Sequence, residues 1–251
     1  MKPTEEPIQI CVIGPDRAGT THFCSLFESV GNVHTSRDSV LYEVLKYNGK
    51  KPYEEKKLIV DSFLEQARAS GKPIVLYKLM YHQMTPEDLR KFFLPDEKML
   101  KIVITRNILD MYISHRKAKK VKSWQSTDTS KVKIWFNYRG RFMAWARERI
   151  DYLKELKREL DAGGYRPLLV DYSDLHAHKD DLSKLQWVAK RIRDEYGIEL
   201  EMAESVVPSV EKQDKGTSYR DKVYNYRKLQ KMTENRDLEL RKIFEGPSFD
   251  F

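Results

Sequence analysis

Short apolar runs alternate along the chain with longer stretches in which apolar residues recur at helical spacing. The apolar runs are rich in isoleucine, valine and leucine, which is typical of strands that are buried on both faces of a parallel sheet. They predict strands over Ile8–Ile13, Ile74–Leu79, Leu100–Thr105 and Leu168–Val170.

The stretches between these strands carry helix signals at their ends. Glycines follow several of them, and Thr85 to Asp88 combines a capping residue, a first-turn proline and acids. The predicted helices are Thr20–Val30, Tyr53–Ser70, Thr85–Phe93, Ile108–Lys119, Lys131–Leu160, Asp181–Tyr196 and Lys222–Phe244. This order predicts an α/β three-layer sandwich with a central, mainly parallel sheet. Such sheets bind ligands at the carboxyl ends of their strands.

The composition is that of a chain with a sizeable core. Its 251 residues are 40% hydrophobic, so residues 1–251 are expected to form one domain. No apolar run approaches the ~20 residues that a membrane span needs. The acidic, proline-bearing N-terminus differs from a signal peptide, and Cys11 and Cys24 have no disulfide or metal-site spacing. We expect a cytoplasmic location, with the catalytic region of a membrane-anchored protein as the alternative.

The formal net charge of the chain is +8. This fits an anionic ligand, an anionic polymer or a nucleic acid, and equally a soluble surface that is simply basic. The charge is densest in the run Arg116–Lys122. Because such runs are usually solvated, we expect an exposed face here, with recruitment of an acidic substrate as the alternative.

A candidate phosphate-binding turn follows the first predicted strand. Gly14-Pro15-Asp16-Arg17-Ala18-Gly19-Thr20-Thr21 lies between that strand and a helix, the arrangement in which backbone N–H groups and a helix N-terminus face an anion. Its spacing is close to the nucleotide-binding pattern G-x-x-x-x-G-K-[ST], but a threonine replaces the lysine. The nearest cation is Arg17. The turn therefore predicts phosphate binding, by other means than in an ordinary ATPase or GTPase.

A second candidate anion site follows the third predicted strand. Arg106 ends that strand, and Ser114 comes eight residues later on the next helix. An arginine at a strand end can bind a phosphate with two N–H groups, and a hydroxyl behind it can complete the site. The alternative is a rim arginine paired with a carboxylate and a solvated serine. Beside a phosphate loop on a nearby strand, the anion site is favoured.

Together the two motifs resemble the sulfotransferase family that uses 3′-phosphoadenosine 5′-phosphosulfate (PAPS). That family carries P-[KR]-S-G-T-T after its first strand. The segment Pro15–Thr21 is similar, with one additional residue after the proline and Ala18 in place of the serine. The family's second signature is an arginine at a strand end with a serine eight residues later, and Arg106 and Ser114 have that spacing.

Two weaker similarities extend the resemblance over most of the chain. Leu168–Leu175 is similar to the family's L-x-V-x-Y-E-D-L, with Ser173 where glutamate is usual. Lys215 and Gly216 resemble the late basic glycine segment that closes over the cofactor in that family.

The resemblance implies a PAPS-dependent sulfotransferase that moves a sulfuryl group to a hydroxyl or amine by in-line transfer, with a P-loop nucleoside triphosphatase-like α/β fold. Such an enzyme releases adenosine 3′,5′-bisphosphate as a product and needs no metal. The loop would hold the 5′-phosphosulfate, Arg106 and Ser114 would hold the 3′-phosphate, and Arg17 would stabilise the charge on the leaving oxygen. The cofactor-binding residues implied are Arg17, Ala18, Gly19, Thr20, Thr21, His22, Arg106, Ser114, Tyr172, Lys215 and Gly216.

The attacking acceptor needs a base, and three residues near strand ends are candidates. Asp38 lies just past the first helix, at an offset from the loop similar to that of the glutamate base in tyrosylprotein sulfotransferases, which have an arginine loop. His82 follows the second predicted strand, close to where the cytosolic branch carries its base histidine. These two rank nearly level, with Glu43 third, and a surface or structural role is the alternative for each. Lys78 is a candidate for neutralising the transferring sulfuryl group, with a surface lysine as the alternative.

Two further groups are expected to be structural or solvated. The aromatic residues near the start of the long helix recur at spacings of three, four and seven, which predicts a core-facing stripe, with an acceptor pocket as the alternative. They are Trp135, Phe136, Tyr138, Phe142 and Trp145. His176 and His178 have no acid or cysteine at ligand spacing, so both are expected to face solvent.

Two other functions remain open on the sequence alone. One is a nucleotide kinase or nucleoside triphosphatase with a degenerate loop, although the loop lysine is missing. The other is a basic nucleic-acid-binding protein, although the chain has no recognised binding signature. For a sulfotransferase, the partner is a small-molecule, carbohydrate, lipid or peptide acceptor, with no nucleic acid and no membrane span; the sequence does not distinguish these acceptors.

Overall fold

A sheet of five parallel strands forms the centre of the computed structural model, which describes residues 6–36, 40–41, 51–80, 83–92, 94–124, 127–210, 218–234 and 236–245. The strand order is β2-β3-β1-β4-β5, and each neighbouring pair is parallel. The strands are β1 (Ile8–Gly14), β2 (Val33–Thr35), β3 (Ile74–Met80), β4 (Leu100–Thr105) and β5 (Leu168–Asp171). The predicted α/β fold with a parallel sheet is confirmed.

Helices connect the strands and cover the sheet. They are α1 (Thr20–Leu26, extended by a 3₁₀ turn at Phe27–Ser29), α2 (Tyr53–Ala69), α3 (Pro86–Phe92), α4 (Ile108–Val121), α5 (Met143–Ala162, preceded by a π-helical turn at Tyr138–Phe142), α6 (Tyr172–His176), α7 (Asp181–Tyr196), α8 (Tyr219–Lys222), α9 (Tyr226–Thr233) and α10 (Lys242–Glu245). None of the helices in the described ranges combines the length and hydropathy that crossing a bilayer requires.

The central strands form because their residues are buried on both faces. Every residue of β4 is buried, and so are six of the seven residues of β3. The four predicted strands are confirmed, with ends that differ from the prediction by at most one residue. Cys11 and Cys24 are buried and unbridged in the core. An edge strand, β2, was not predicted, because Val-His-Thr is too short and too mixed to give a strand pattern.

Two predicted helices are wrong in part, and one contact explains both. Ile134 pairs with Val223 in a parallel bridge, with hydrogen bonds of 3.0 Å from its N–H to Lys222 O and from the Tyr224 N–H to its carbonyl. Extended backbone at both positions excludes a helix there. The run predicted as Lys131–Leu160 therefore becomes helical only from the turn before α5, and the run predicted as Lys222–Phe244 contains the separate helices α9 and α10.

The aromatic stripe is confirmed for some of its members. Phe136 and Phe142 are buried, and both rings pack against Tyr112 at centroid distances of 5.9 and 5.1 Å. The prediction is wrong for Trp135, which is 70% exposed. It precedes the helix and lies beside the bridged Ile134, so helical spacing does not apply to it.

The strand order reverses its direction at β1 and β4, at the carboxyl edge of the sheet. After β1 the chain passes through α1 to β2 and β3 on one side, and later reaches β4 and β5 on the other. The loops that follow β1 and β4 therefore diverge at the carboxyl ends of two adjacent strands. Ligands bind parallel sheets at such points.

Candidate functional site

The turn between β1 and α1 depends on two glycines. Gly19 has φ +97°, and a Cβ at this position would lie 2.5 Å from the ring of Tyr172. A Cβ at Gly14 would lie 2.9 Å from the Thr20 side chain and 3.2 Å from the carbonyl oxygen of Ile104 in β4. The loop can approach β4 and Tyr172 this closely only because both positions lack a side chain.

The side chain of Arg17 joins the two anion motifs directly. Its Nε and Nη2 donate to the Ser114 hydroxyl at 3.1 and 3.0 Å, and its Nη1 donates to the carbonyl of Trp124 at 2.7 Å. Arg17 has φ +68°, a backbone conformation that non-glycine residues seldom adopt. Burial and the nearby charge of Arg106 lower the pKa of its guanidinium. Two residues that lie 97 positions apart in the sequence thus meet in one site.

Arg106 extends from the end of β4 toward the same loop. Its Nη1 donates to the carbonyl of Arg17 at 3.1 Å, and its guanidinium carbon lies 4.0 Å from the centroid of the Tyr172 ring. Its Nε is buried and has no hydrogen-bond partner among the residues that the structure describes. A buried donor without a partner is costly, and an anion at this point would satisfy it.

Tyr172 is fixed in place by the residues around it. It begins α6, whose N-cap Asp171 is buried and accepts from the Ser173 N–H at 2.9 Å and from the Thr105 hydroxyl at 2.8 Å. These bonds tie the end of β5 to the end of β4. The tyrosine ring therefore lies between Gly19 and Arg106, at the meeting point of the two motifs.

Lys78 is a buried cation rather than a surface lysine. Only 2% of it is exposed, and its Nζ donates to the Thr21 hydroxyl at 2.6 Å. The alternative of a strand-end surface lysine is wrong, because β3 lies beside β1 and directs Lys78 against α1. A lysine that is buried beside a phosphate-type loop supplies positive charge where water screens it little.

The sequence analysis missed an ion pair, here called the Asp16 anchor, that fixes the loop between β1 and α1. The carboxylate of Asp16 accepts from Arg149 Nε at 2.8 Å and lies 3.1 Å from His115 Nδ1. The side chain of Arg149 is only 4% exposed. Its guanidinium carbon also lies 3.7 Å from the centroid of the Trp145 ring. Burial alone would raise the pKa of Asp16, but the hydrogen bond from His115 and the charge of Arg149 outweigh it and lower the pKa to about 2.

The Asp16 anchor changes the electrostatics of the site. Because Arg149 compensates the charge of Asp16, that charge does not neutralise the three cations near the loop. Arg17 lies in the loop, Arg106 contacts its carbonyl, and Lys78 contacts the first turn of α1. The loop is therefore a net positive surface suited to an anion. Asp16 was visible as the additional residue in the loop motif, but nothing in the sequence pointed to Arg149.

His22, a predicted cofactor residue, and His176, which was predicted to face solvent, contact each other and their neighbours. His22 lies 3.3 Å from Asp181 of α7 through its Nε2, and its ring stacks on His176 at 5.4 Å. The ring of His176 in turn lies 4.1 Å from that of Tyr172, so the prediction that His176 faces solvent is wrong. Ring contacts thus lead from Tyr172 through His176 to His22, which lies beside Asp181 of α7.

Several predicted residues lie outside the described ranges. They are the base candidates Asp38, Glu43 and His82, and the cofactor residues Lys215 and Gly216. Their roles stay predictions. Within the described ranges, no three His, Cys, Asp or Glu side chains converge as metal ligands would.

A solved structure shares this architecture. The crystal structure of a sulfotransferase from Alicyclobacillus acidocaldarius aligns with a TM-score of 0.54 and 11% identity, over 96% of this chain and 97% of that chain. The sulfotransferase domain of the Synechococcus PCC 7002 olefin synthase aligns over 100% of this chain and 98% of that chain, with 13% identity and a TM-score of 0.42. No protein-family model matches the chain, and no curated protein matches its sequence significantly. The first alignment confirms the fold that the loop motifs implied: the chain has the α/β fold of a solved sulfotransferase.

Proposed function

We propose that the protein is a sulfotransferase that moves a sulfuryl group from PAPS to a hydroxyl or amine acceptor. The observation that carries this proposal is the contact between the two anion motifs, in which Arg17 donates to Ser114 and accepts from Arg106 through its carbonyl. ATP has no 3′-phosphate, so a second anion site beside the loop suits a nucleotide with phosphates at both the 3′ and 5′ positions. The fold of the sulfotransferase from Alicyclobacillus acidocaldarius supports the same function.

The described residues fit such a nucleotide. A 3′-phosphate between Arg106 and Ser114 would satisfy the buried Nε of Arg106, which has no partner among the described residues. The first N–H groups of a helix have no helical carbonyl to bind, so those at the start of α1 would donate to the 5′-phosphate. PAPS, when bound, supplies the activated sulfuryl group.

The cations of the site would act on the charge that develops during transfer. The acceptor oxygen or nitrogen forms a bond to sulfur while the bond from sulfur to the phosphate oxygen breaks, and that oxygen takes the electron pair. Arg17 would stabilise the charge on the leaving oxygen once its side chain turns from Ser114 and the Trp124 carbonyl toward the 5′-phosphosulfate, and Lys78 would stabilise the sulfuryl oxygens. A fixed cation in a buried site, such as Lys78, contributes strongly because it needs no reorganisation during the reaction.

The proton of the acceptor would pass to Asp38 or His82, with Glu43 as the third candidate. This assignment rests on the sequence, because all three lie outside the described residues. Asp38→Asn or His82→Ala is expected to leave bisphosphate affinity near normal, and loss of the true base to lower turnover by about 10²–10⁴-fold. Full turnover in both variants on the true acceptor would move the base elsewhere.

Ligand-dependent melting tests the proposed cofactor. Adenosine 3′,5′-bisphosphate at a hundred times its Kd is expected to stabilise the protein by about 2.7 kcal/mol, or about 5–10 °C for a chain of this size. ATP with magnesium is expected to give little shift. The reverse pattern would contradict the proposal and favour a nucleotide kinase or triphosphatase. Mass spectrometry of extracts incubated with labelled PAPS would then identify the acceptor.

A further inference from the structure

Three buried hydrogen-bond donors lie between α4 and α5 without partners. They are the Tyr112 hydroxyl, Arg116 Nε and Trp145 Nε1, and none of them has a hydrogen-bond partner among the residues that the structure describes. Nearly all buried polar atoms in proteins are paired, because leaving a buried donor unpaired is costly. Three such donors in one region of the molecule therefore indicate that a group outside the chain pairs with them.

The three donors belong to neighbouring side chains. The rings of Tyr112 and Trp145 meet edge to face, with their centroids 5.4 Å apart. Tyr112 and Arg116 are four residues apart on α4, so their side chains share one face of that helix. Ser114, which accepts from Arg17, lies on the opposite side of the helix, because two residues correspond to about 200° of rotation. The donors are thus grouped on the side of α4 that faces away from the cofactor loop.

The chemistry of this cluster favours an anion over water. An indole N–H and an arginine Nε can only donate. Burial raises the pKa of Tyr112, so its hydroxyl keeps its proton and can donate as well. The charges of Arg116 and Arg141 act on the same pKa in the opposite direction, which places two cations near the hydroxyl. A water molecule accepts from only two donors, whereas an oxyanion accepts from three or more and is attracted by both cations.

The basic run at the end of α4 connects the cluster to the surface. The predicted exposed face is confirmed for three lysines of this run, Lys119, Lys120 and Lys122. The prediction is wrong for Lys117, which is fully buried. Arg116 lies at the boundary, because its side chain is half-buried while its Nε is buried. It therefore links an exposed basic face, whose field attracts anions, to the buried donors.

We propose that Tyr112, Arg116 and Trp145 form a binding site for a small oxyanion, either an inorganic sulfate or the carboxylate of an organic acid. Its oxygens accept from the hydroxyl, from the indole N–H and from Arg116 Nε, and the charges of Arg116 and Arg141 balance its own. The site is separate from the two anion motifs, and its existence does not depend on the proposed sulfotransferase function.

Nuclear magnetic resonance of the full chain tests this proposal through the indole N–H of Trp145, whose signal is identified by its loss in Trp145→Phe. The probes are sodium acetate and sodium sulfate, with the ionic strength held constant by sodium chloride. We expect at least one probe to move this signal downfield in a saturable manner, while the indole signal of Trp187 on α7 stays in place. Either result supports the site, and the tighter probe identifies the oxyanion as a carboxylate or an inorganic ion.

A pair of matched variants tests the role of the Tyr112 hydroxyl. Tyr112→Phe is expected to weaken binding of the probe about tenfold or more, because a hydrogen bond to a charged group is lost. The control is Tyr77→Phe, which removes a buried hydroxyl that donates to Gln9 at 2.9 Å and is expected to leave probe binding unchanged. Without either probe, Tyr112→Phe is expected to keep its Tm within about 1–2 °C of the wild type, whereas Tyr77→Phe lowers the Tm by about 2–4 °C.

Several results would overturn the proposal. One is the absence of a shift of the Trp145 signal with both probes. Another is an equal shift with acetamide, which has the shape of acetate without its charge. A third is a Tyr112→Phe variant that binds the probes as tightly as the wild type, or that loses as much Tm as Tyr77→Phe. Arg106→Ala is expected to leave the titration of the Trp145 signal unchanged, and loss of the shift in this variant would assign the anion to the loop instead.

Discussion

Replacing Asp16 with asparagine tests whether the loop is held by its buried ion pair. Asparagine keeps the size of the side chain and removes its charge. The pKa of Asp16 is lowered from 3.8 to about 2 in the folded protein. At 1.36 kcal/mol per pH unit, this difference corresponds to about 2 kcal/mol of unfolding free energy at neutral pH. Because Arg149 is only 4% exposed, leaving its charge uncompensated raises the expected loss to about 2–4 kcal/mol.

The pH dependence of this stabilisation has a definite sign. The folded-state pKa of Asp16 lies below its unfolded value, so its contribution is fully present above about pH 4 and is lost as the pH falls toward about 2. Urea denaturation followed by circular dichroism is the assay. The difference in unfolding free energy between the wild type and Asp16→Asn is expected to be largest at pH 5–7 and to shrink toward about pH 3. Equal stability of the two proteins at pH 7 would refute the ion-pair reasoning.

The chain offers a matched control for the functional effect of this change. Asp88 pairs with Lys56 at 3.0 Å, and the side chains are 15% and 4% exposed, the same fractions as for Asp16 and Arg149. We expect both Asp→Asn variants to lose stability. Only Asp16→Asn is expected to weaken adenosine 3′,5′-bisphosphate binding, by about tenfold, because Asp16 precedes Arg17 in the loop. Equal effects on binding in the two variants would mean that Asp16 acts through stability alone.

Two further substitutions test the loop and its buried cation. Gly19→Ala is expected to cost about 1–3 kcal/mol of stability, because its φ of +97° is strained for alanine and its Cβ would meet Tyr172 at 2.5 Å; urea denaturation and bisphosphate titration measure the effect, and wild-type values in both would contradict the packing argument. Lys78→Met keeps the length of a buried side chain without its charge, and is expected to lower turnover by about 10²–10³-fold with the bisphosphate Kd within about threefold. A larger loss of binding than of turnover would assign Lys78 to ground-state binding instead.

The sequence alone predicted the structural features that depend on the pattern of residues within a single segment. The apolar runs of β1, β3, β4 and β5 predicted the sheet, because strands buried on both faces consist almost entirely of apolar residues. The loop motif and Arg106 follow adjacent strands, so parallel topology alone brought them together. The α/β fold that these motifs implied is confirmed. The roles of the individual residues stay predictions.

The features that sequence analysis missed depend on contacts between distant segments. Arg149 reaches Asp16 across 133 residues, and its position in the middle of α5 carries no signal of that contact. The bridge between Ile134 and Val223 overrides helical propensity in two separate stretches and leaves Trp135 exposed. Such long-range pairings are decided by packing, which periodicity within one segment does not report.

The central claim is that Arg106 and Ser114 form a 3′-phosphate site beside the loop. Isothermal titration of the wild type and of Arg106→Ala with adenosine 3′,5′-bisphosphate and with 5′-AMP tests it most directly. The wild type is expected to bind the bisphosphate at least about 100-fold more tightly than 5′-AMP, since a charge-assisted contact contributes about 3 kcal/mol. Arg106→Ala is expected to lose most of that preference while keeping its affinity for 5′-AMP. A wild type that binds both nucleotides equally, or a variant that loses both to the same extent, would contradict the account.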